Sequence, residues 1–352
     1  MDESFPLGLT FDDILLEPRP TAVIRSEVSL ETKLTKKLKL KIPILAAAMD
    51  TVSEAEMAIA LGRLGGMAIL HRNCSAEREV GMVKKVKRAG LLAGAAVGPA
   101  DFARAVALDK AGADVIVVDT AHGHDLRSVA SARRIKKAVR AQVIMGNIAT
   151  ASAARELAKF ADAVKVGVGP GSICTTRIVA GIGVPQLTAI LNVVKIAKKK
   201  NIPVIADGGM KYSGDIVKAL AAGASSVMLG SMLAGAKETP GKIVKIKGKL
   251  FKSFRGMGSF GALAQGKSAD RYFQKNAKIK VPEGVEGMVK YKGPLEDIIA
   301  QITGGLRSGM GYIGAENIPA MPRQAKFIRI TNAGLRESHP HDVIITKKSP
   351  NY

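Results

Sequence analysis

At 352 residues, with 47% hydrophobic and 24% charged residues, the chain has apolar material for one large globular domain or two smaller ones; no run approaches the roughly 18 apolar residues that would span a membrane. Two cysteines, Cys74 and Cys174, exclude a disulfide framework, and the acidic start MDESFPLGLTFDD lacks the order of a secretory signal, so a soluble protein of the cytoplasm is expected. The net charge of +23 attracts polyanions, but its lysine runs (35 to 41, 84 to 88, 195 to 201, 242 to 249) are not interleaved with aromatics and Trp is absent; the expectation is a solvated basic surface with at most nonspecific nucleic-acid affinity.

From residue 42 the sequence keeps a beat of short apolar run, loop and helix-period segment. IPILAAAM (42 to 49) leads to SEAEMAIALGRLG, where Ser53 and Glu56 have capping-box spacing and Gly65 marks the stop. MAILH (67 to 71) leads to a helix from about Ser75 to Arg88, and LLAGAAVG (91 to 98) to one capped by Asp101. The beat continues through DVIVVD (114 to 119), QVIMGN (142 to 147), AVKVGVG (163 to 169), PVIADGG (203 to 209) and SVMLGS (226 to 231), each with a helical segment behind it. Eight such units predict an α/β fold of the closed (β/α)8, or TIM, barrel type over about 42 to 241, within a single domain spanning 1 to 352. Residues 242 to 292 break the beat as a glycine-rich, basic, aperiodic segment after the last barrel unit, the composition of a lid or of disorder. A helix and an irregular tail follow, over 293 to 352.

Residues just after barrel strands line the rim where such folds build their sites. MDT (49 to 51), HRNC (71 to 74), DTAHGHD (119 to 125), GN (146 to 147), DGG (207 to 209) and GS (230 to 231) all fall there. Bare amides at Ser172, Gly209, Gly230 and Ser231 suit a phosphate, aided by a helix N-terminus, and Asp207 suits a ribose diol; the plainer reading is that glycines end strands. Cys174 stands in the glycine loop VGVGPGSICTTRIVAGIGVPQ (166 to 186), where a thiolate could act as a nucleophile, although a lone cysteine is commonly a small core residue. Cys74 reads as structural. The five histidines form no zinc-type cluster, and GMGSFG follows no strand, so it is no dinucleotide fingerprint.

Across nearly its whole length the chain resembles the inosine-5′-monophosphate dehydrogenase and guanosine-5′-monophosphate reductase superfamily. The motifs are LTFDDILLEP (9 to 18), AAAMDTVSE (46 to 54), GPGSICTTRIVAGIGVPQ (169 to 186), IADGGM (205 to 210), FRGMGS (254 to 259), RYFQ (271 to 274), VPEGVEG (281 to 287) and LRESHPHDV (335 to 343). The resemblance implies that Cys174 attacks C2 of inosine monophosphate (IMP), that hydride passes to NAD⁺, and that water releases xanthosine monophosphate (XMP) from a covalent thioimidate, a step of guanine nucleotide biosynthesis. It implies that Ser172, Asp207, Gly208, Gly209, Gly230 and Ser231 hold phosphate and ribose, that Met257, Gly258 and Glu286 border the base, and that Asp119, Asn147 and Gly167 meet the nicotinamide end of NAD. Potassium is implied at the carbonyls of Gly169, Gly171 and Cys174, with Glu337, Ser338 and His339 from a neighbouring subunit of a homotetramer.

The same resemblance makes 242 to 292 a mobile flap carrying Arg271 and Tyr272 over the intermediate, with Arg271 or a Thr176–Glu286 relay activating water. A guanidinium is almost wholly protonated near neutrality, so Arg271 needs desolvation to act as a base. RYFQ and VPEGVEG are the dehydrogenase form; the reductase is the alternative, and a non-catalytic basic nucleotide- or RNA-binding barrel the remote one. Phe254 stands where the family commonly has a tyrosine reaching the phosphate, and KKVKRAGLLAGAAVG (84 to 98) runs straight through the place of the regulatory cystathionine-synthase-type (CBS) modules.

Overall fold

The structure, a computed structural model, describes residues 5–265, 269–272, 274, 279–350 and 352. Eight parallel strands close into a barrel: β1 (Ile44–Ala46), β2 (Met67–Leu70), β3 (Gly94–Val97), β4 (Val115–Asp119), β5 (Gln142–Ile148), β6 (Ala163–Val166), β7 (Val204–Asp207) and β8 (Ser226–Leu229). β8 returns to β1 with Val227 opposite Ile44. These strands are buried on both faces, which is why they read as continuous apolar runs. Leu45, Ile69, Val117, Ile144, Ile205 and Met228 fill the barrel interior, while their neighbours Ile44, Ala46, Leu70 and Val118 face the helix layer. Leu34 and Leu40, in and beside the short hairpin Thr32–Lys33 with Lys39–Leu40, pack against the interior cluster, so the basic run 35 to 41 belongs to a plug.

Helices α1 (Ala55–Arg63), α2 (Ala76–Arg88), α3 (Phe102–Lys110), α4 (Leu126–Ala138), α5 (Ala151–Leu157), α6 (Gln186–Ala197) and α7 (Ser213–Ala221) follow their strands as the beat predicts. The expected Ser53–Glu56 capping box is not formed: α1 has Glu54 at its N-cap, and the Ser53 hydroxyl is buried without a partner. Glu54 instead accepts from His71 at 3.1 Å and Arg78 at 2.6 Å, and the His71 hydrogen bond lowers its pKa.

The eighth helix differs from expectation. Behind β8 the chain makes only turns, and α8 (Leu295–Ile313) closes the ring, packed on α7 and α1. The flap is therefore inserted between β8 and α8 instead of following a finished barrel. Nor is it aperiodic: β9 (Val244–Ile246), β10 (Lys249–Arg255) and β11 (Glu286–Lys290) form an antiparallel sheet. Its alternation is hidden because both faces carry lysines. Lys252 is buried and donates to the carbonyls of Ala236 (3.2 Å), Lys237 (3.1 Å) and Thr239 (2.5 Å), tying the sheet to the turns after β8. The tail also holds order, with a short helix Asn332–Glu337 capped by Thr331. No helix among the described residues is long and apolar enough to cross a membrane.

Candidate active site

The carboxyl ends of the strands open into a cavity of about 380 Å³. Its wall includes Asp119, Asn147, Gly167, Gly169, Gly171, Ser172, Cys174, Thr176, Asp207, Gly208, Gly209, Gly230, Ser231, Phe254, Met257, Arg271 and Tyr272, so strand ends, cysteine loop and flap meet in one place. Glu286, Gly258, Glu337, Ser338 and His339 do not line it.

Cys174 is half-buried on this wall, its Sγ 3.3 Å from the Thr176 hydroxyl, which donates to Glu283 at 2.8 Å. The loop is held by a β-bridge between Cys174 and Gly284, with Thr175 N bonded to Glu283 O and Val285 N to Ile173 O. The relay expected between Thr176 and Glu286 is not formed. Glu283 occupies that place, and Glu286 accepts from the Gly261 amide at 2.6 Å on the exposed flap sheet. Cys74 is buried, its thiol pushed up to about 11 by burial, in keeping with a structural role.

On the same wall, the amides of Gly209, Gly230 and Ser231 have no acceptor among the described residues, as an anion cradle requires. Just before α7, the Lys211 and Tyr212 amides are already taken, since both donate to Asp215. Gly167 serves packing, since a Cβ there would lie 2.1 Å from the Asp207 carbonyl. Gly258 likewise leaves room for the Tyr272 ring, which a Cβ at that position would approach to 2.6 Å.

The wall also carries a residue that the motifs do not single out. Lys165, on β6 and 2% exposed, donates to Asp119 at 3.0 Å, to Asp207 at 2.5 Å and to Asn147 Oδ1, while Asn147 donates to Asp207 at 2.9 Å. Its signal in the sequence is a lysine inside an otherwise apolar barrel strand; a buried ammonium requires such partners. Asp119 also ion-pairs with Arg271, whose backbone carbonyl accepts from Ala121 N at 3.0 Å. Burial pulls the Arg271 guanidinium below its ordinary pKa and pushes the Tyr272 phenol above its own. Arg271 Nε is buried without a hydrogen-bond partner. Arg255 anchors the flap stem on Asp50 at 2.6 Å.

Glu337, Ser338 and His339 lie away from the loop: the Ser338 hydroxyl donates to Gly334 O, and His339 rests against Tyr212 and Tyr352. Among the described residues no group of His, Cys, Asp and Glu side chains is arranged to hold a metal; a site lined by backbone carbonyls needs no such group. Phe273, within RYFQ, lies outside the described residues.

The profile of the IMP dehydrogenase / GMP reductase domain matches residues 8–341. The chain belongs to that family. The inosine-5′-monophosphate dehydrogenase of Cryptosporidium parvum is 48% identical, over 98% of both chains; that of Aquifex aeolicus is 42% identical, over 98% of this chain and 97% of the relative. The Rhodopirellula baltica enzyme of the same name is 40% identical over all of this chain and 89% of its own length, in an alignment of 482 positions. That exceeds the 352 residues here, so this IMP dehydrogenase-family relative carries sequence that the present chain lacks.

Proposed function

We propose that this chain oxidises IMP to XMP with NAD⁺. The observation that carries the choice within the family is Arg271 with Tyr272 on the cavity wall, facing the Cys174–Thr176–Glu283 line. A reductase that expels ammonia has no use for a water-activating arginine.

In this reading Cys174 forms a bond to C2 of the purine, and the hydride from C2 leaves to the nicotinamide. Water then attacks C2 of the thioimidate, loses its proton, and the thiolate departs. The balance is IMP + NAD⁺ + H₂O giving XMP + NADH + H⁺. The free amides of Gly209, Gly230 and Ser231, with Ser172 and Gly208, take the phosphate, and Asp207 the ribose; Met257 borders the base, with Glu283 in place of Glu286. Lys165, bonded to both Asp119 and Asp207, holds the two carboxylates in place, one for each nucleotide. NAD, when bound, supplies the hydride acceptor. Asp119, with Asn147 beside it, fits its ribose, and since Arg271 holds Asp119 in the closed form, cofactor and flap residue exchange there. The orphaned Nε of Arg271 can donate to the hydrolytic water while the guanidinium is protonated; the neutral form that burial favours, or Glu283 through Thr176, takes the water's proton.

Potassium fits the cysteine loop: the carbonyls of Gly169 and Cys174 accept no hydrogen bond among the described residues, whereas Gly171 O accepts from Cys174 N at 3.1 Å. Neutral oxygens suit a monovalent cation of low charge density. Such a site would stiffen the loop that carries the nucleophile. Glu337, Ser338 and His339 would complete it from another subunit, in a tetramer. A single catalytic domain without CBS modules and a cytoplasmic location complete the reading. The test is a paired assay on purified protein. NADH from IMP and NAD⁺, stimulated by potassium and abolished in Cys174→Ala, is expected; IMP from GMP and NADPH would establish the reductase instead.

A further inference from the structure

β3 is followed at the rim by Gly98, where a side chain would displace the groups packed beside it. A Cβ would lie 2.1 Å from Asp270 Oδ2 and 2.8 Å from Arg72 Nη1. Arg72 follows β2, is 4% exposed, and donates to Asp270 Oδ1 at 2.6 Å; Asp101 stands 3.8 Å away and accepts from the Gly98 amide at 3.2 Å. The barrel thus presents a notch with a bare wall and a buried guanidinium, and the flap fills it with one carboxylate. That carboxylate is the residue before Arg271. A second tie lies alongside, Asn73 Nδ2 to Gln265 Oε1 at 2.9 Å, and a third is the Arg271 carbonyl on Ala121 N.

We propose that Arg72, seated beside Gly98, is a positioning residue for the hydrolytic half of the reaction: by binding Asp270 it fixes Arg271 and Tyr272 over the reacting carbon. The proposal rests on the dehydrogenase reading above. Arg72 is not part of the cavity wall that carries Cys174 and the phosphate loops, which sets it apart from attack and hydride transfer. Its contribution arises once the flap has replaced the dinucleotide at Asp119. The Arg72 charge also acts in the same direction as burial on the Arg271 guanidinium, favouring its neutral form.

The geometry therefore separates two kinetic phases. In Arg72→Gln and in Asp270→Asn, the first-turnover burst of NADH should stay within about twofold of wild type, while the steady-state rate falls about tenfold, equal to ~1.4 kcal/mol in the closing equilibrium. Acid-quenched protein should then carry more purine adduct on Cys174, seen by mass spectrometry. Arg72→Lys, which keeps the charge, should recover part of the rate. Gly98→Ala leaves every charge in place and should give the same split through exclusion of Asp270. A merely structural role lowers burst and steady state together. That result, or steady-state rates unchanged in all four variants, overturns the proposal; absence of NADH from the wild type would instead overturn the dehydrogenase reading.

Discussion

Phe254 presents its ring tip 3.7 Å from the position of a Cβ on Gly230, one of the glycines whose amide has no acceptor among the described residues and which is proposed to hold the phosphate. A hydroxyl at that tip would extend toward the cradle, where the ring now offers only carbon. One neutral hydrogen bond contributes about 0.5–1.5 kcal/mol. Phe254→Tyr should accordingly lower the KM for IMP about two- to tenfold with little change in kcat. Steady-state titration of IMP checks this, and an unchanged KM would show that the tyrosine hydroxyl finds no partner here. The same scale explains why the sequence does not single out Glu283. Both glutamates of VPEGVEG stand in one motif, and letters alone do not say which faces Thr176.

At the scale of elements, the flap sheet decides that question. Gly284 bridges to Cys174, and Arg255 pairs with Glu286 at the start of β11. Side chains alternate along extended chain, so residues three apart point to opposite sides. Glu283 faces the cysteine loop, and Glu286 the exposed sheet and Gly261. Glu283→Gln should slow release of XMP about tenfold, less than the roughly 10²–10⁴-fold of a sole general base because Arg271 remains, and leave the NADH burst intact. Glu286→Gln should stay within about twofold of wild type in both phases. Rapid-quench measurement of the two variants side by side distinguishes them, and the reverse ranking would reinstate the Thr176–Glu286 relay.

For the whole molecule, the expected assembly follows from where the tail lies. His339 packs beside Tyr212 in its own chain and the Ser338 hydroxyl donates to Gly334 O, so the proposed potassium site, if it draws on both tail and glycine loop, would need a second subunit. Light scattering in potassium buffer should give about 148 kDa, four copies of the 36.9 kDa chain. A fully active 37 kDa species would remove the shared site. The charge of +23 is a surface property: Lys198–Lys200 is an exposed turn after α6, where cations favour a helix C-terminus, and Lys36, Lys37 and Lys39 lie on the exposed side of the plug hairpin.

The barrel was legible in the sequence because each strand is buried on both faces and each helix on one, and those burial patterns are periodic in the chain itself. That Cys174 and the glycine loops would share one rim was legible for a related reason, since strand ends in a barrel converge wherever the beat places them. The insertion of the flap before α8, the choice of Glu283, the Lys165 hub and the Arg72–Asp270 contact were decided only by the tertiary structure. Each depends on residues tens to nearly two hundred positions apart, and no local period records which of two nearby carboxylates, or which distant arginine, the folded chain brings together.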